Sequence, residues 1–285
     1  MNFSEQVVTF ACAGEQMLGI LALPEQAQKI GVLLLVGGPQ YRVGSHRQFL
    51  LLARTLAAAG YPTMRFDYRG MGDSEGDLRH FEAVNDDIAA AIAAFQAHCP
   101  QVTKLVLWGL CDAASSALLY WDAVKDARVI GLVLLNPWVR SETSLARAHI
   151  KHYYGQRLLQ AEFWRKLLTG KLGLGRAIGG FIGSLNRARQ DKRSAVATES
   201  LPFQKRMARG LATFPGTVLL LLSGNDYTAK EFLETVKADS AWAAALGQPS
   251  VTRVDIAEAD HTFSSAEWRG QVENITRQWL ETKAD

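Results

Sequence analysis

Apolar positions in the second tenth of the chain and beyond fall into short continuous runs separated by stretches of helical period, and the alternation starts at residue 30. Before it, apolar stretches at 7–12 and 18–23 flank Ala13-Gly14-Glu15-Gln16, which has the turn chemistry of an opening hairpin. The run at 30–36 is apolar throughout, as expected of a strand buried on both faces of a parallel sheet, and Gly37-Gly38-Pro39 ends it. A helix is predicted over 46–59, closed by Gly60, then a strand over 62–67 and an alanine-rich helix over 82–97. A strand at 105–108 feeds a helix at 113–124, and aliphatic strands follow at 129–135, 218–222 and 251–256. Helical patterns at 229–245 and 265–282 bracket the last of these.

Strand and helix alternating in this way predict an α/β fold whose mostly parallel, doubly wound sheet has eight strands, with the site at the carboxyl ends of the strands. Between the strands beginning at 129 and 218 the pattern is helical and contains no strand. A structureless loop of that length is improbable, so a helical cap is expected over 139–213, inserted between core segments 1–138 and 214–285.

Charge sharpens that division. The net charge of +3 conceals 15 Lys and Arg against 4 Asp and Glu over 140–210, a balance of +11 set against −8 elsewhere. A basic cap fits an anionic acyl substrate, free or carrier-bound, although a solvated helical face carries similar charge without any partner. Glycines at 170, 173, 175, 179, 180 and 183 resemble a phosphate loop only in spacing, since no strand precedes them and no Gly-Lys-Ser/Thr follows. No nucleic-acid motif or interleaved aromatic pattern appears, and no cofactor or metal is expected. Three cysteines at unrelated spacings suggest neither a disulfide framework nor a zinc site. No run reaches 18 apolar residues, and the start Met1-Asn2-Phe3-Ser4-Glu5-Gln6 has no secretory pattern, so a cytoplasmic setting is expected.

The chemistry concentrates at Gly109-Leu110-Cys111-Asp112-Ala113, where a buried strand turns directly into a small-residue helix. Such a corner is a nucleophile elbow, and it tolerates only small residues two positions either side of the reactive one. Cys111 is the candidate nucleophile; the plainer alternative is a buried, inert thiol. A thiol needs a base, and the base an orienting acid. Of six histidines, His261 follows the last strand and precedes the last helix, at the correct end of the sheet. Asp226, after the strand at 218–222, stands in the order nucleophile, acid, histidine and is the candidate acid; it is equally placed to cap a helix. Asp260 is the rival, disfavoured because adjacent side chains on one backbone seldom face each other. Gly72-Asp73-Ser74-Glu75-Gly76 matches a serine-nucleophile motif in letters, but it lies inside a long loop and Ser74 is set aside.

Developing negative charge on a carbonyl oxygen requires waiting N–H donors. The backbone N–H of Asp112 is one candidate, and Gly38, then Gln40, are the candidates from the loop after the strand at 30–36. Pro39 has no N–H to give. The glycines here also fit a simple tight turn. Near a helix start and an imidazolium, a cysteine pKa falls from about 8.5 to roughly 3.5–7.5, giving a thiolate suited to esters and thioesters.

These pieces together resemble the α/β-hydrolase superfamily over nearly the whole chain. More narrowly, Val36-Gly37-Gly38-Pro39-Gln40-Tyr41-Arg42 and Gly109-Leu110-Cys111-Asp112-Ala113 are similar to the exosortase A system-associated hydrolase type 1 family of bacteria. The resemblance implies a bacterial cytoplasmic enzyme associated with exopolysaccharide and protein-sorting genes, and no settled substrate; the residues themselves point to a hydrolase of ester or thioester bonds, with an acyltransferase or an inactive scaffold on that fold as alternatives. The chain departs from the general pattern with Cys at 111, Ala at 113 and Val at 36. The first departure weighs against ordinary esterase chemistry, though dienelactone-hydrolase-like enzymes work with Cys, His and Asp on this fold.

Overall fold

Period-two packing explains why the central strands are apolar without a break. In the computed structural model, which describes residues 2–38, 40–140 and 201–283, strand β3 (Ile30–Leu35) sends Leu33 and Leu35 to one face of the sheet and Val32 and Leu34 to the other. Strand β5 (Lys104–Leu110) does the same with Leu105 and Leu107 against Val106, Trp108 and Leu110. Both faces are therefore covered, as a parallel sheet requires. Each such side chain removed from water contributes roughly 1.5–3 kcal/mol before entropy is counted.

The sheet has eight strands: β1 (Phe3–Cys12), β2 (Glu15–Pro24), β3, β4 (Thr63–Phe66), β5, β6 (Val129–Leu135), β7 (Thr217–Ser223) and β8 (Val251–Ile256). Their order across the sheet is β1-β2-β4-β3-β5-β6-β7-β8. Strand β2 runs antiparallel to both neighbours, while β4 through β8 pair in parallel. Ala13 and Gly14, both at positive φ, make the two-residue turn that sets Cys12 opposite Glu15.

Helices α1 (Gln48–Ala58) and α7 (Ala266–Glu281) cover one face through Phe49, Leu52, Leu56, Val272 and Leu280. The other face is covered by α2 (Asn85–His98), α3 (Asp112–Val124), α4 (Phe203–Ala212), α5 (Tyr227–Ala238) and α6 (Ser240–Leu246). The single helix predicted over 229–245 is thus two. Asp239 is extended there, and its carboxylate accepts the Ala241 N–H, capping a new start.

The core unit comprises Met1–Val139 and Pro202–Asp285. Helix α4, which the sequence reading grouped with the cap, belongs to this unit and lies against α3, where Arg209 meets Asp122 at 2.7 Å. Lys205 and Arg206 pair with Asp239 and Glu82, so part of the basic excess over 140–210 serves ion pairs within the core. The remainder of the expected cap, with the glycine-spaced segment and His149 and His152, lies outside the described residues. Among the described residues no helix is long and apolar enough to cross a membrane.

Candidate active site

Cys111 sits between β5 and α3 with φ 63° and ψ −124°, a conformation that costs a non-glycine residue about 1–3 kcal/mol and persists only where neighbours enforce it. They do so here: its N–H donates to Leu135 O at 2.9 Å, and its carbonyl accepts from Trp138 N–H at 3.2 Å. A side chain at Gly109 would lie 2.6 Å from the backbone of Ala113, so the strand and helix approach each other more closely than any β-carbon allows. Ala113 fits because its methyl turns into the core. The thiol of Cys111 is partly exposed, whereas Cys12 and Cys99 are buried.

His261 and Asp226 arrive from the two strands beyond β6. Asp226 follows β7 as the N-cap of α5, with Oδ1 accepting from Thr228 N–H and Oδ2 from Ala229 N–H, each at 3.1 Å. The same Oδ2 lies 2.9 Å from His261 Nδ1. One carboxylate thus caps the helix and holds His261 Nδ1. The bond to Asp226, followed by the interaction with Cys111, pushes the imidazole up to about 10 against the opposing effect of burial. Burial raises the Asp226 carboxyl, but the His261 bond and the two helix N–H groups outweigh it and hold the group below its ordinary value.

The loop carrying His261 is fastened by two residues that the sequence reading did not single out. Asn136, buried at the end of β6, donates through Nδ2 to Ser223 Oγ at 2.8 Å and to His261 O at 3.1 Å, while its Oδ1 accepts the Ser223 N–H. Ser223 Oγ in turn donates to Asp260 O. A polar residue directly after five apolar strand positions was the available signal.

Asp260 is engaged elsewhere, accepting from Thr262 N–H, Ser264 N–H and the Ser264 hydroxyl. Ser74 Oγ donates to Asp67 O and accepts the Leu18 N–H, tying its loop to β2. His98 is bonded to Ala94 O within α2, and His80 stacks on Phe81 beside Glu82.

At the expected oxyanion donors the structure holds a surprise. Gly38 N–H donates to both carboxylate oxygens of Asp112, at 2.7 and 2.9 Å. Burial raises this carboxyl, and backbone N–H groups, that of Gly38 first, offset it only in part. The Gly38 N–H is thus taken by a side chain. Gln40 is turned to the Ser45 N–H, which its Oε1 accepts at 3.2 Å.

Gly38 and Asp112 also line a cavity of about 360 Å³ walled by apolar side chains that include Val36, Met71, Phe81 and Trp138. Among the described residues no group of three His, Cys, Asp or Glu side chains is arranged to hold a metal ion.

The model of the alpha/beta hydrolase family matches residues 32–271. A search among curated proteins finds no match. Among solved structures, an esterase from Pyrococcus furiosus is similar at TM-score 0.66 and 14% identity, over 98% of this chain and 91% of its own. A thermophilic esterase from Thermogutta terrifontis, solved with malate bound, gives TM-score 0.57 and 20% identity over 98% of this chain and 100% of its own. Est1E from Butyrivibrio proteoclasticus, with ferulic acid bound, gives 0.61 and 16% over 98% and 100%. At such identities the likeness is one of fold.

Proposed function

Because the chain belongs to the alpha/beta hydrolase family, we propose that it cleaves ester or thioester bonds with Cys111 as nucleophile, His261 as base and Asp226 as orienting acid. The observation that carries this reading is the Asp226–His261 hydrogen bond, with Cys111, at a strand-to-helix corner, acting on the same imidazole.

In the first half-reaction the Cys111 thiolate adds to the acyl carbonyl carbon, and the carbonyl π pair moves onto oxygen. Collapse of that intermediate expels the alcohol or thiol, which takes the His261 proton and leaves an acyl thioester on Cys111. Water then gives a proton to His261 as it adds to the thioester, and the Cys111 thiolate departs, releasing the carboxylic acid. If an alcohol or thiol replaces water, the same steps perform acyl transfer. Asp226 holds Nδ1–H, which leaves Nε2 for these proton movements.

The substrate is a small-molecule or carrier-bound acyl compound, and the basic balance over 140–210 favours an anionic one. A cytoplasmic setting accords with three free cysteines. The link to exosortase and exopolysaccharide systems rests on the resemblance of residues 36–42 and 109–113. A second reading, an inactive scaffold, draws on one observation: the Asp112 carboxylate takes the Gly38 N–H that an oxyanion would use.

A panel of acyl esters and acyl thioesters, followed by intact mass, separates these readings. An acyl adduct on the wild type that is absent from Cys111→Ala supports the enzyme. Absence of both adduct and turnover across the panel favours the scaffold.

A further inference from the structure

The Gly38 N–H, an expected oxyanion donor, is turned toward the start of α3, and an anion already occupies it. The occupant is the side chain of Asp112. Space for it comes from Gly37, where a β-carbon would lie 2.2 Å from Asp112 Oδ1. A carbonyl oxygen attacked by Cys111 needs such a donor as its charge grows, and two anions cannot share one N–H at such distances. The carboxylate therefore has to leave before the chemistry starts.

A destination exists. Tyr68 is 4% exposed and lines the same cavity, yet its O–H has no hydrogen-bond partner among the described residues. A buried, unpaired hydroxyl is costly, and a carboxylate turned toward it would remove that cost. The cavity they line is largely apolar, with Val36, Met71, Leu78 and Phe81 beside Arg79 and His80. An acyl chain entering it would compete with the Asp112 side chain for that space.

We propose that Asp112 is a specificity-determining residue: its carboxylate fills the oxyanion site in the free protein, and acyl chains that fill the adjoining cavity displace it toward Tyr68. Short acyl groups lack the apolar surface to drive that displacement and are turned over poorly. Tyr68 is the positioning residue that receives the carboxylate. This rests on the Cys111–His261–Asp226 reading, and the test is built to separate the two.

Acetyl, butyryl and hexanoyl p-nitrophenyl esters are compared on wild type, Asp112→Ala, Asp112→Asn, Tyr68→Phe and the Asp112→Ala/Tyr68→Phe double variant, with Cys111 acylation read by intact mass. In wild type, kcat/KM should climb by about fourfold per added methylene. Asp112→Ala keeps the backbone N–H and should raise the turnover of all three esters, about tenfold for acetyl and least for hexanoyl, flattening the profile; Asp112→Asn, neutral and a weaker occupant, should fall between. Tyr68→Phe should lower hexanoyl turnover about tenfold in the wild-type background and have no effect in the Asp112→Ala background. If Cys111 is acylated in every variant and the chain-length profile is the same in all of them, the proposal is overturned while the triad stands. If Asp112→Ala and Asp112→Asn fold, as judged by thermal melting, but lose acylation at every chain length, the carboxylate is required rather than displaced and the proposal fails. Absence of acylation in every protein, wild type included, overturns both readings.

Discussion

Asp226 Oδ2 bonds to His261 Nδ1 at 2.9 Å while the same atom accepts the Ala229 N–H at 3.1 Å. The orientation of the imidazole is thereby tied to the first turn of α5. Replacing Asp226 with Asn keeps an oxygen for the cap but offers His261 either a repelling amide N–H or the wrong tautomer. Asp226→Asn should lower kcat on whichever acyl substrate is turned over by about 10³–10⁴, with only a small loss of melting temperature. An undiminished kcat would remove Asp226 from the acid role.

Alkaline pH should weaken the fold through His261. Its folded pKa of about 10 lies above the ordinary 6.5, so its stabilising contribution is complete below about 6.5 and is lost as pH rises through about 10. Asp226 acts in the opposite sense. Its pKa is depressed in the folded state, so it stabilises above the ordinary carboxylate range and loses that contribution in acid. Melting temperatures of wild type and His261→Gln, measured from pH 6 to 10.5, should converge toward the alkaline end. A gap that stays constant across that range would show that His261 is not held protonated by its neighbours.

Asn136→Ala should cost about 1–3 kcal/mol, because it strands the Ser223 N–H and the His261 carbonyl in a buried site. The same change frees the His261 loop, so kcat should fall more than thermal stability alone explains. Urea midpoints together with kcat at a temperature well below melting make the distinction. Unchanged kcat in a folded variant would mean that the loop is held from elsewhere.

Gly109→Ala introduces a methyl 2.6 Å from the Ala113 backbone, where no flexible side chain can give way. The expected loss is about 1–3 kcal/mol, with slower alkylation of Cys111 by iodoacetamide as the corner opens. A variant as stable and as reactive as wild type would show that the corner is looser than the backbone distances indicate.

Much of this was legible in the residues because the signals are local. Strand β6 spans Val129–Leu135, as its apolar run foretold, and β8 spans Val251–Ile256, the bounds predicted for the last strand. The elbow was legible in Gly109 and Ala113, since close approach of two backbones excludes anything larger. Asp239 concealed a helix break, because a short acidic residue in an alanine-rich stretch reads as a surface position until its backbone is seen extended. Helix α4 shares the helical, strand-free pattern that predicts a cap over 139–213, and only the packing of Met207, Ala208 and Leu211 places it in the core. The position of the Asp112 side chain was beyond sequence altogether. It depends on Gly38, 74 residues away, presenting its N–H across the sheet end.

The core backbone leaves at Val139 and returns at Pro202, and Gln204 Nε2 donates to Val139 O at 3.0 Å, stitching departure to return. Exit and re-entry are thus neighbours, fixed by the core itself. Loop-closure cost grows only with the logarithm of the length between two such points. With the two ends already held together, the core keeps the strands that carry Cys111, Asp226 and His261 at a closure cost that depends only weakly on how many residues lie between.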